Sequence, residues 1–351
     1  MRDQRRVRDV GEFGLISLLV EALPPEVRAG GDLAFGIGDD AAVWRPAPDA
    51  DVVITTDSLV EDIHFRIDWT DWESLGHKIL AVNISDLAAM GAAPKLAVIT
   101  LCLRGDELVI DLQALYRGIG DLARRNAMTI AGGDIVRSPT ALIFQVTALG
   151  ETAGGAVLQR SGAGGGDIIG VTGTLGASAA GLRLLAFDAT DPRRVAATAD
   201  LLIQAHLRPE PRVALGKILL DQGASAAMDL SDGLLGDLPK ILTASDVSAE
   251  IDARRVPVAG AVRAMFPEAW LDLAMRGGED YELLFTAPDH AWSAIEQAMQ
   301  EVGGQVSAIG TIVSPEAGRP AIGITGLDGE RHPALPGAFD HFGTVAGQLD
   351  G

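Results

Sequence analysis

The sequence predicts an α/β or α+β fold, with helices packed on sheets, and it predicts two domains. Short strands rich in β-branched residues alternate along the chain with longer segments whose apolar residues recur at helical spacing. The chain has 351 residues, of which 48% are apolar and 22% are charged. This length exceeds the size at which one hydrophobic core usually keeps growing, and the composition is typical of a globular protein.

The first half of the chain contains four predicted strands and two predicted helices. The strands are short runs of apolar and β-branched residues, at residues 52–56, 96–103, 128–131 and 141–150. The helices carry apolar residues on one face, at residues 71–90 and 107–126. In the first of these helices the residues predicted to face inward are Leu75, Ile79, Val82 and Leu87.

A glycine-rich stretch at residues 150–166 predicts a connection between two domains, residues 1–150 and residues 151–351. Beyond this stretch the alternation of strands and helices begins again. Strands are predicted at residues 168–171, 226–230 and 281–286, and helices at residues 177–187, 195–206 and 213–221.

Charge and cysteine content exclude several kinds of partner. The chain has 28 Lys and Arg against 48 Asp and Glu, a net charge of −20 that repels nucleic acid and anionic lipid. We therefore expect no nucleic acid and no membrane as a partner. Cys102, the single cysteine, lies in an apolar run and is interpreted as a core residue, which excludes an internal disulfide. Because we find no apolar run of about 18 residues and no signal peptide, we expect a cytoplasmic protein.

Short acidic clusters replace the motifs of the common nucleotide-binding and hydrolytic enzymes. The sequence has no P-loop, GxGxxG, HExxH or GxSxG motif. Its acidic clusters are GIGDDAAV (36–43), TTDSLVEDIHF (55–65), NISDLAAMGA (83–92), AGGDIV (131–136), MDLSDGLLGDL (228–238) and RGGEDYELLF (276–285). Each cluster alone is also explained by an acidic turn or a helix cap.

The clusters are more informative as a set, and we expect three of their carboxylates at well-defined places. Asp57 is predicted at the end of a strand, and Asp134 follows a glycine pair at another strand end. Asp86 shares one face of an apolar helix with Asn83, where a carboxylate is costly unless it is paired or bound to metal. An acidic pocket of this kind binds an anionic substrate only with cations, so the sequence predicts Mg²⁺-assisted phosphoryl transfer.

Nine motifs, in order and spacing, resemble the thiamine-monophosphate kinase family, which belongs to the aminoimidazole-ribonucleotide synthetase-like ATP-binding superfamily. The resemblance runs from about residue 11 to the final FDHF at residues 339–342. The motifs are GEFGLI (11–16), GIGDDAA (36–42), TTDSLVEDIHF (55–65), KILAVNISDLAAMGA (78–92), AGGD (131–134), LQRSGAGGGD (158–167), HLRPEPRV (206–213), MDLSDGL (228–234) and GGEDYELLF (277–285).

The resemblance implies a two-domain fold and a homodimer. The N-terminal α/β domain would bind ATP and Mg²⁺ and pair its sheet with that of a second subunit. The C-terminal α+β domain would complete the site for nucleotide and thiamine phosphate. The reaction implied is direct, in-line transfer of the ATP γ-phosphoryl group to thiamine monophosphate, which requires no protein nucleophile and belongs to thiamine diphosphate biosynthesis.

The resemblance also implies roles for individual residues. Several Mg²⁺ ions would be held by Asp40, Thr55, Thr56, Asp57, Asp86, Asp134, Asp229 and Asp232. ATP would contact Gly133, Asp134, Arg160 and Ser231, and thiamine monophosphate would contact His64, Glu279 and Phe339. An aromatic face at Phe339 suits the cationic thiazolium ring.

Two other functions are compatible with the same motifs. The chain could be another ATP-using enzyme of the superfamily, or a Mg-nucleotide-binding assembly factor without catalytic activity. The second alternative predicts nucleotide binding without turnover.

Overall fold

The structure is a computed structural model that describes residues 4–30, 32–316, 318 and 321–333. The chain divides into two compact units. The first unit consists of Met1–Val157 together with Leu207–Leu220, and the second consists of Leu158–His206 and Asp221–Gly351. In the described residues we find no helix with the length and apolar character needed to cross a membrane.

The first unit is built on a two-stranded ribbon and a four-stranded sheet. The ribbon consists of β1 (Leu33–Phe35) and β2 (Val43–Trp44). The sheet contains β3 (Ala50–Val60), β4 (Ala93–Leu103), β5 (Thr129–Arg137) and β6 (Ile143–Ala153), in the order β3-β6-β4-β5. Strands β4 and β5 are parallel, and the other neighbours in this sheet are antiparallel.

The helices of the first unit cover one face of this sheet. They are α1 (Val7–Ala22), α2 (Pro25–Arg28), α3 (Trp72–Ala89) and α4 (Val109–Arg125). Alternate strand residues such as Ile99 and Val146 are buried on the side of α3, which we call the helix-covered face. The residues between them, such as Thr100 and Gln145, are more exposed and form what we call the open face.

Two glycines allow α3 and α4 to pack closely. A Cβ atom on Gly76 would lie 1.9 Å from the carbonyl oxygen of Leu115, and one on Gly118 would lie 1.9 Å from that of Glu73. Any larger residue would therefore separate the helices, because protein interiors leave no room for such an overlap. The close packing fixes the position of α3 on the sheet.

A segment from the second half of the sequence belongs to the first unit. Helix α7 (Val213–Asp221) packs on α3, where a Cβ atom on Gly216 would lie 1.9 Å from the carbonyl oxygen of Ala88. The segment before it is held by His77, whose Nε2 lies 2.7 Å from the carbonyl oxygen of Pro209. The predicted division at residue 150 assigned this segment to the second domain.

The second unit is built on a seven-stranded sheet. Its strands are β7 (Ile168–Thr172), β8 (Ala226–Asp229), β9 (Ser248–Asp252), β10 (Leu283–Ala287), β11 (Val306–Val313), β12 (Ile322–Thr325) and β13 (Arg331–Pro333). Their order is β13-β12-β9-β11-β7-β10-β8, and all neighbours are antiparallel except β12 and β9.

The helices of the second unit bury apolar residues against the sheet and against one another. They are α5 (Ala177–Ala186), α6 (Ala199–Leu207), α8 (Leu234–Ser245), α9 (Gly260–Met265), α10 (Trp270–Arg276) and α11 (Asp289–Glu301), with a short 3-10 turn at Ala253–Arg255. One apolar cluster joins the sheet to α8, and another joins α5, α6, α9 and α10. This mixture of helices and sheets in both units confirms the predicted fold class.

Several predicted boundaries are wrong, and two of them concern site residues. Strand β3 continues through Asp57 to Val60, and β5 continues through Asp134 to Arg137, so neither carboxylate stands at a strand end. Pairing with β6 and β4 along their whole lengths extends these strands past polar residues and glycines. The helix expected from residue 195 begins at Ala199.

Candidate active site

Strand β3 and helix α3 bring two predicted carboxylates of the first unit together. Asp57 lies on β3, and its backbone N–H donates to Asn83 Oδ1 on α3 at 3.0 Å. Thr55 Oγ1 donates to Asp86 Oδ2, also on α3. Because side chains alternate along a strand, Thr55 and Asp57 both face the helix. The side chains of Asp57 and Asp86 therefore lie close enough to interact.

The proximity of these two carboxylates has an electrostatic cost. Burial, together with the charge of Asp86 and the hydrogen bond to it, raises the pKa of Asp57 to about 6. Two neighbouring carboxylates favour a shared proton or a cation between them. The pair therefore has the chemistry of a site for a hard cation.

The oxygen atoms of Asp57, Asp86 and Thr55 suit Mg²⁺ if waters and substrate phosphates provide its other ligands. Within the described ranges, no group of three Asp, Glu, His or Cys side chains could hold a metal ion. Mg²⁺, however, is usually bound by one or two carboxylates, with waters and substrate phosphates as its other ligands. Asp57 and Asp86 satisfy that pattern, and the hydroxyl of Thr55 adds a third oxygen beside Asp86.

Two further predicted ligands of the first unit face the other side of the sheet. Thr56 Oγ1 donates to the carbonyl oxygen of Val146 at 2.9 Å and lies 3.1 Å from Thr147 Oγ1. Asp134 pairs in register with Thr100 and is exposed on the same open face. The structure thus separates the side chains of Thr56 and Asp134 from those of Asp57 and Asp86.

Gly133 has a structural reason to be glycine. A Cβ atom at this position would lie 2.0 Å from the carbonyl oxygen of Ile99 on the neighbouring strand. Cys102 is half-buried on the open face, whereas the sequence predicts a residue of the core. Burial, and secondarily the charge of Asp134, raises the pKa of its thiol, which disfavours a role as nucleophile.

Asp40 and His64 lie in loops on either side of β3. Asp40 is exposed, and its backbone N–H donates to the Asp39 carboxylate at 2.9 Å. His64 Nδ1 accepts from the backbone N–H of Val60 at 3.0 Å. This nitrogen therefore carries no proton, and Nε2–H is the donor of the neutral ring.

In the second unit, the predicted site residues cluster between β8 and α8. Asp229 is the buried last residue of β8, and Ser231 and Asp232 follow it in the turn. Gly233 ends the turn with a φ of +85°, and a Cβ atom there would lie 2.7 Å from the backbone of Arg276. The tight turn therefore requires glycine.

A lysine neutralises Asp232. Lys240 Nζ donates to Asp232 Oδ2 at 2.6 Å and to Asp237 Oδ1 at 2.7 Å, and the backbone N–H of Asp232 donates to Asp237 Oδ2 at 2.9 Å. Asp237 is fully buried, and this burial raises the pKa of its carboxyl group. Sequence reasoning missed Lys240 and Asp237, although their i, i+3 spacing on a helix is a readable signal.

The loop that carries Glu279 has an unusual backbone. Glu279 and Tyr281 have φ values of +64° and +50°, in the left-handed region that non-glycine residues rarely adopt. Their backbone N–H groups donate to the carbonyl oxygens of Ser231 and Leu230, at 2.8 and 3.0 Å. Such strain persists only where surrounding contacts enforce it, and it is typical of functional loops.

The last two predicted contacts are Arg160 and Phe339. Arg160 is exposed, and its carbonyl oxygen accepts from Ser245 Oγ at 3.2 Å. Phe339 lies outside the described residues. Sequence reasoning also missed a role for Asp280, whose carboxylate accepts from the backbone N–H groups of Gly176 and Ser178 at the start of α5.

Comparison with protein families defines the class to which this fold belongs. Residues 38–152 match the family described as AIR synthase related protein, N-terminal domain, and residues 164–322 match the corresponding C-terminal domain. Among solved structures, that of Escherichia coli HypE is similar in fold, with a TM-score of 0.71 and 22% identity over 92% of this chain and 97% of that one.

Individual relatives make the assignment more specific. Thiamine-monophosphate kinase of Escherichia coli K12 is 40% identical over 95% of this chain and 99% of its own length. The crystal structure of that kinase from Stenotrophomonas maltophilia has a TM-score of 0.76 and 38% identity, covering 85% of this chain and 92% of its own. The structure of AaThiL complexed with AMPPCP and TMP has a TM-score of 0.73 and 32% identity, covering 96% and 99%. The chain belongs to the thiamine-monophosphate kinase family.

Proposed function

We propose that this chain uses ATP to phosphorylate thiamine monophosphate, which yields thiamine diphosphate and ADP. The observation that carries the proposal is the pair of adjacent carboxylates, Asp57 and Asp86, in a chain similar to thiamine-monophosphate kinases over most of its length. The complex of AaThiL with AMPPCP and TMP supports both substrates, because AMPPCP is an ATP analogue.

The residues best suited to hold Mg²⁺ in the first unit are Thr55, Asp57 and Asp86. When bound, Mg²⁺ supplies positive charge that neutralises the phosphoryl group during transfer. Asp229, buried at the end of β8, is the corresponding candidate in the second unit. The assignments of Asp40, Thr56, Asp134 and Asp232 to Mg²⁺ remain predictions from the resemblance.

The chain's own residues would orient the two substrates. Arg160 is a guanidinium suited to a phosphate, and Ser231 presents a hydroxyl from the tight turn before α8. His64 is expected to donate from Nε2–H to the thiamine phosphate, and Glu279 to contact the same substrate. Gly133 and Asp134 as contacts for ATP, and Phe339 as a contact for the thiazolium, remain predictions.

Transfer is proposed to be direct. A phosphate oxygen of thiamine monophosphate forms a bond with the γ-phosphorus of ATP, and the bond from that phosphorus to the β,γ-bridging oxygen breaks. ADP leaves with the electron pair, so no phosphorylated residue forms. Catalysis of this kind depends on positioning and charge stabilisation rather than on a protein nucleophile.

A homodimer is part of the proposal. The open face of the first unit carries exposed apolar side chains on its outer strands: Val52 is 40% exposed, Ile54 is 64% exposed and Val136 is 41% exposed. Exposed apolar groups of this kind favour burial against a partner. The two-domain division of roles and the cytoplasmic location stay predictions from the sequence.

Direct assay of the reaction tests the function. Purified protein is incubated with ATP and Mg²⁺, with and without thiamine monophosphate, and ADP and thiamine products are separated by chromatography. One thiamine diphosphate per ADP is expected. Binding of ATP without conversion of thiamine monophosphate would contradict the proposal and favour another substrate of the superfamily or a non-catalytic role.

A further inference from the structure

A buried histidine of the second unit lies against Glu279. His206, at the C-terminal end of α6, is 5% exposed, and its Nδ1 lies 3.2 Å from Glu279 Oε2. Ser178 Oγ on α5 lies 3.0 Å from the same nitrogen and is 1% exposed. The Glu279 side chain is 26% exposed, so its carboxylate bridges this buried pair and solvent.

The contact defines the hydrogen position on the imidazole. An ionised carboxylate oxygen only accepts hydrogen bonds, so a favourable contact with Glu279 requires a proton on Nδ1. Ser178 Oγ, which can accept as well as donate, is compatible with that tautomer. His206 therefore presents a donor to the one carboxylate of the loop that we assign to substrate binding.

The rest of the loop is fixed independently of His206. Backbone hydrogen bonds to Ser231 and Leu230 hold Glu279 and Tyr281 in their left-handed conformations. Asp280 ties the same loop to the N-terminus of α5, from which Ser178 reaches His206. The backbone contacts thus fix the position of the Glu279 main chain, and side-chain contacts set the direction of its carboxylate.

We propose that His206 is a positioning residue for the reaction, which orients the Glu279 carboxylate toward thiamine monophosphate through its Nδ1–H. This inference rests on the proposed function, because Glu279 is assigned there to that substrate. It predicts a selective effect: loss of the Nδ1 donor raises KM for thiamine monophosphate and leaves KM for ATP near its original value.

Two amide substitutions distinguish positioning from simple support of the fold. In His206→Asn the side-chain amide nitrogen can take the place of Nδ1, whereas in His206→Gln it extends toward the place of Nε2. We expect His206→Gln to raise KM for thiamine monophosphate about tenfold, as for loss of a hydrogen bond to a charged group. We expect His206→Asn to stay within about threefold of the original protein. Equal effects of the two variants on both substrates would overturn the proposal.

A double-mutant cycle tests whether the effect passes through Glu279. If it does, His206→Gln adds little to KM once Glu279→Ala is present, because Glu279→Ala already removes the acceptor of the Nδ1–H. Independent, multiplicative effects would overturn the inference. The matched control is His77→Gln, a buried histidine of the first unit that contacts Pro209 rather than Glu279. It is expected to lower thermal stability without a selective change in KM, and a matching rise in KM for thiamine monophosphate would contradict the proposal.

The cycle also separates this inference from the proposed function. No thiamine diphosphate from the unmodified protein would refute the function itself. Normal KM for thiamine monophosphate in Glu279→Ala would refute the assignment of Glu279. Raised KM in Glu279→Ala with normal kinetics in His206→Gln would refute only the role of His206.

Discussion

At the scale of single residues, the candidate site contains acidic side chains whose negative charges must be neutralised. Asp57 lies beside Asp86, and burial, followed by the charge of Asp86, raises the pKa of Asp57 to about 6. Lys240 provides the opposite solution at Asp232, where an ammonium group neutralises the carboxylate. The Asp57–Asp86 pair is suited to bind a cation from solution, whereas Asp232 is already neutralised by a cationic side chain of the protein.

The carboxylate pair leads to a prediction about catalysis. Asp86→Asn removes one of the two charges that would hold Mg²⁺, and turnover is expected to fall by about a hundredfold or more while the fold persists. The measurement is kcat as a function of Mg²⁺ concentration, with circular dichroism to verify folding. Asp121→Asn is the control, because Asp121 is a half-exposed carboxylate on α4 that forms an ion pair with Arg124 at 3.0 Å. Near-normal turnover of Asp86→Asn at saturating Mg²⁺ would refute the role.

Asp280 leads to a prediction about pH and stability. Burial, with a smaller contribution from the nearby charge of Glu282, raises its pKa from 3.8 to about 7 despite hydrogen bonds from the backbone of Gly176 and Ser178. Between those pH values the folded protein holds a proton that the unfolded chain has released. The stabilisation is complete below pH 3.8 and is lost as the pH rises through 7.

Asp280→Asn removes this titration. The free energy of unfolding of the original protein minus that of the variant is expected to decrease by about 3 kcal/mol between pH 5 and pH 8, because a difference of one in pKa corresponds to about 1.4 kcal/mol. Urea unfolding of both proteins at several pH values measures this difference in the free energy of unfolding. Parallel pH profiles for the two proteins would show that Asp280 titrates normally.

At the scale of elements, close helix packing positions the site. Helix α3 carries Asn83 and Asp86, and its place on the sheet depends on the two glycines at its contact with α4. A third glycine, Gly216, brings α7 against the other end of α3. Two segments that are distant in the sequence, α4 and α7, therefore hold α3 in place and with it the position of Asp86.

Gly118→Ala tests this packing. Its Cβ would lie 1.9 Å from the Glu73 carbonyl oxygen and 3.0 Å from the His77 backbone nitrogen, so the helices must move apart. We expect a loss of about 3 kcal/mol in the free energy of unfolding, at the upper end of typical overpacking costs. Gly14→Ala is the control: its Cβ would contact only Val10 at 3.4 Å within α1, so alanine should be neutral or slightly stabilising there. Equal stability of both variants would contradict the packing argument.

At the scale of the whole molecule, the open face of the first unit has the composition of an interface. It combines exposed apolar residues with a polar row in which Thr56, Thr147 and Gln145 are hydrogen-bonded. A net charge of −20 makes non-specific association unfavourable, so any self-association must be specific enough to overcome repulsion.

Ile54→Asp tests the homodimer. Sedimentation velocity of the original protein is expected to give twice the 36.5 kDa mass of one chain, and the variant should sediment as a monomer because a charge replaces an apolar contact. Leu201→Asp, on α6 of the second unit, is the matched control, since Leu201 is 68% exposed and is not part of the open face. The prediction fails if the original protein is monomeric or if both variants remain dimeric.

The sequence by itself determined the fold class, the family and the type of chemistry. Alternation of strand and helix patterns predicted the α/β class, because binary patterns follow secondary structure directly. The acidic clusters predicted a cation-dependent site, and the motif resemblance predicted a family that the comparisons confirm. These features are local in sequence, so no knowledge of long-range contacts was needed.

Only the tertiary structure decided which of the predicted residues meet. It places Asp57 and Thr55 against α3 but turns Thr56 and Asp134 to the open face, because pairing continues the strands beyond their predicted ends. It also joins His206, Ser178 and Glu279, which are far apart in sequence. Such contacts depend on sheet register and on close packing of distant segments, and neither is encoded in any short stretch of residues.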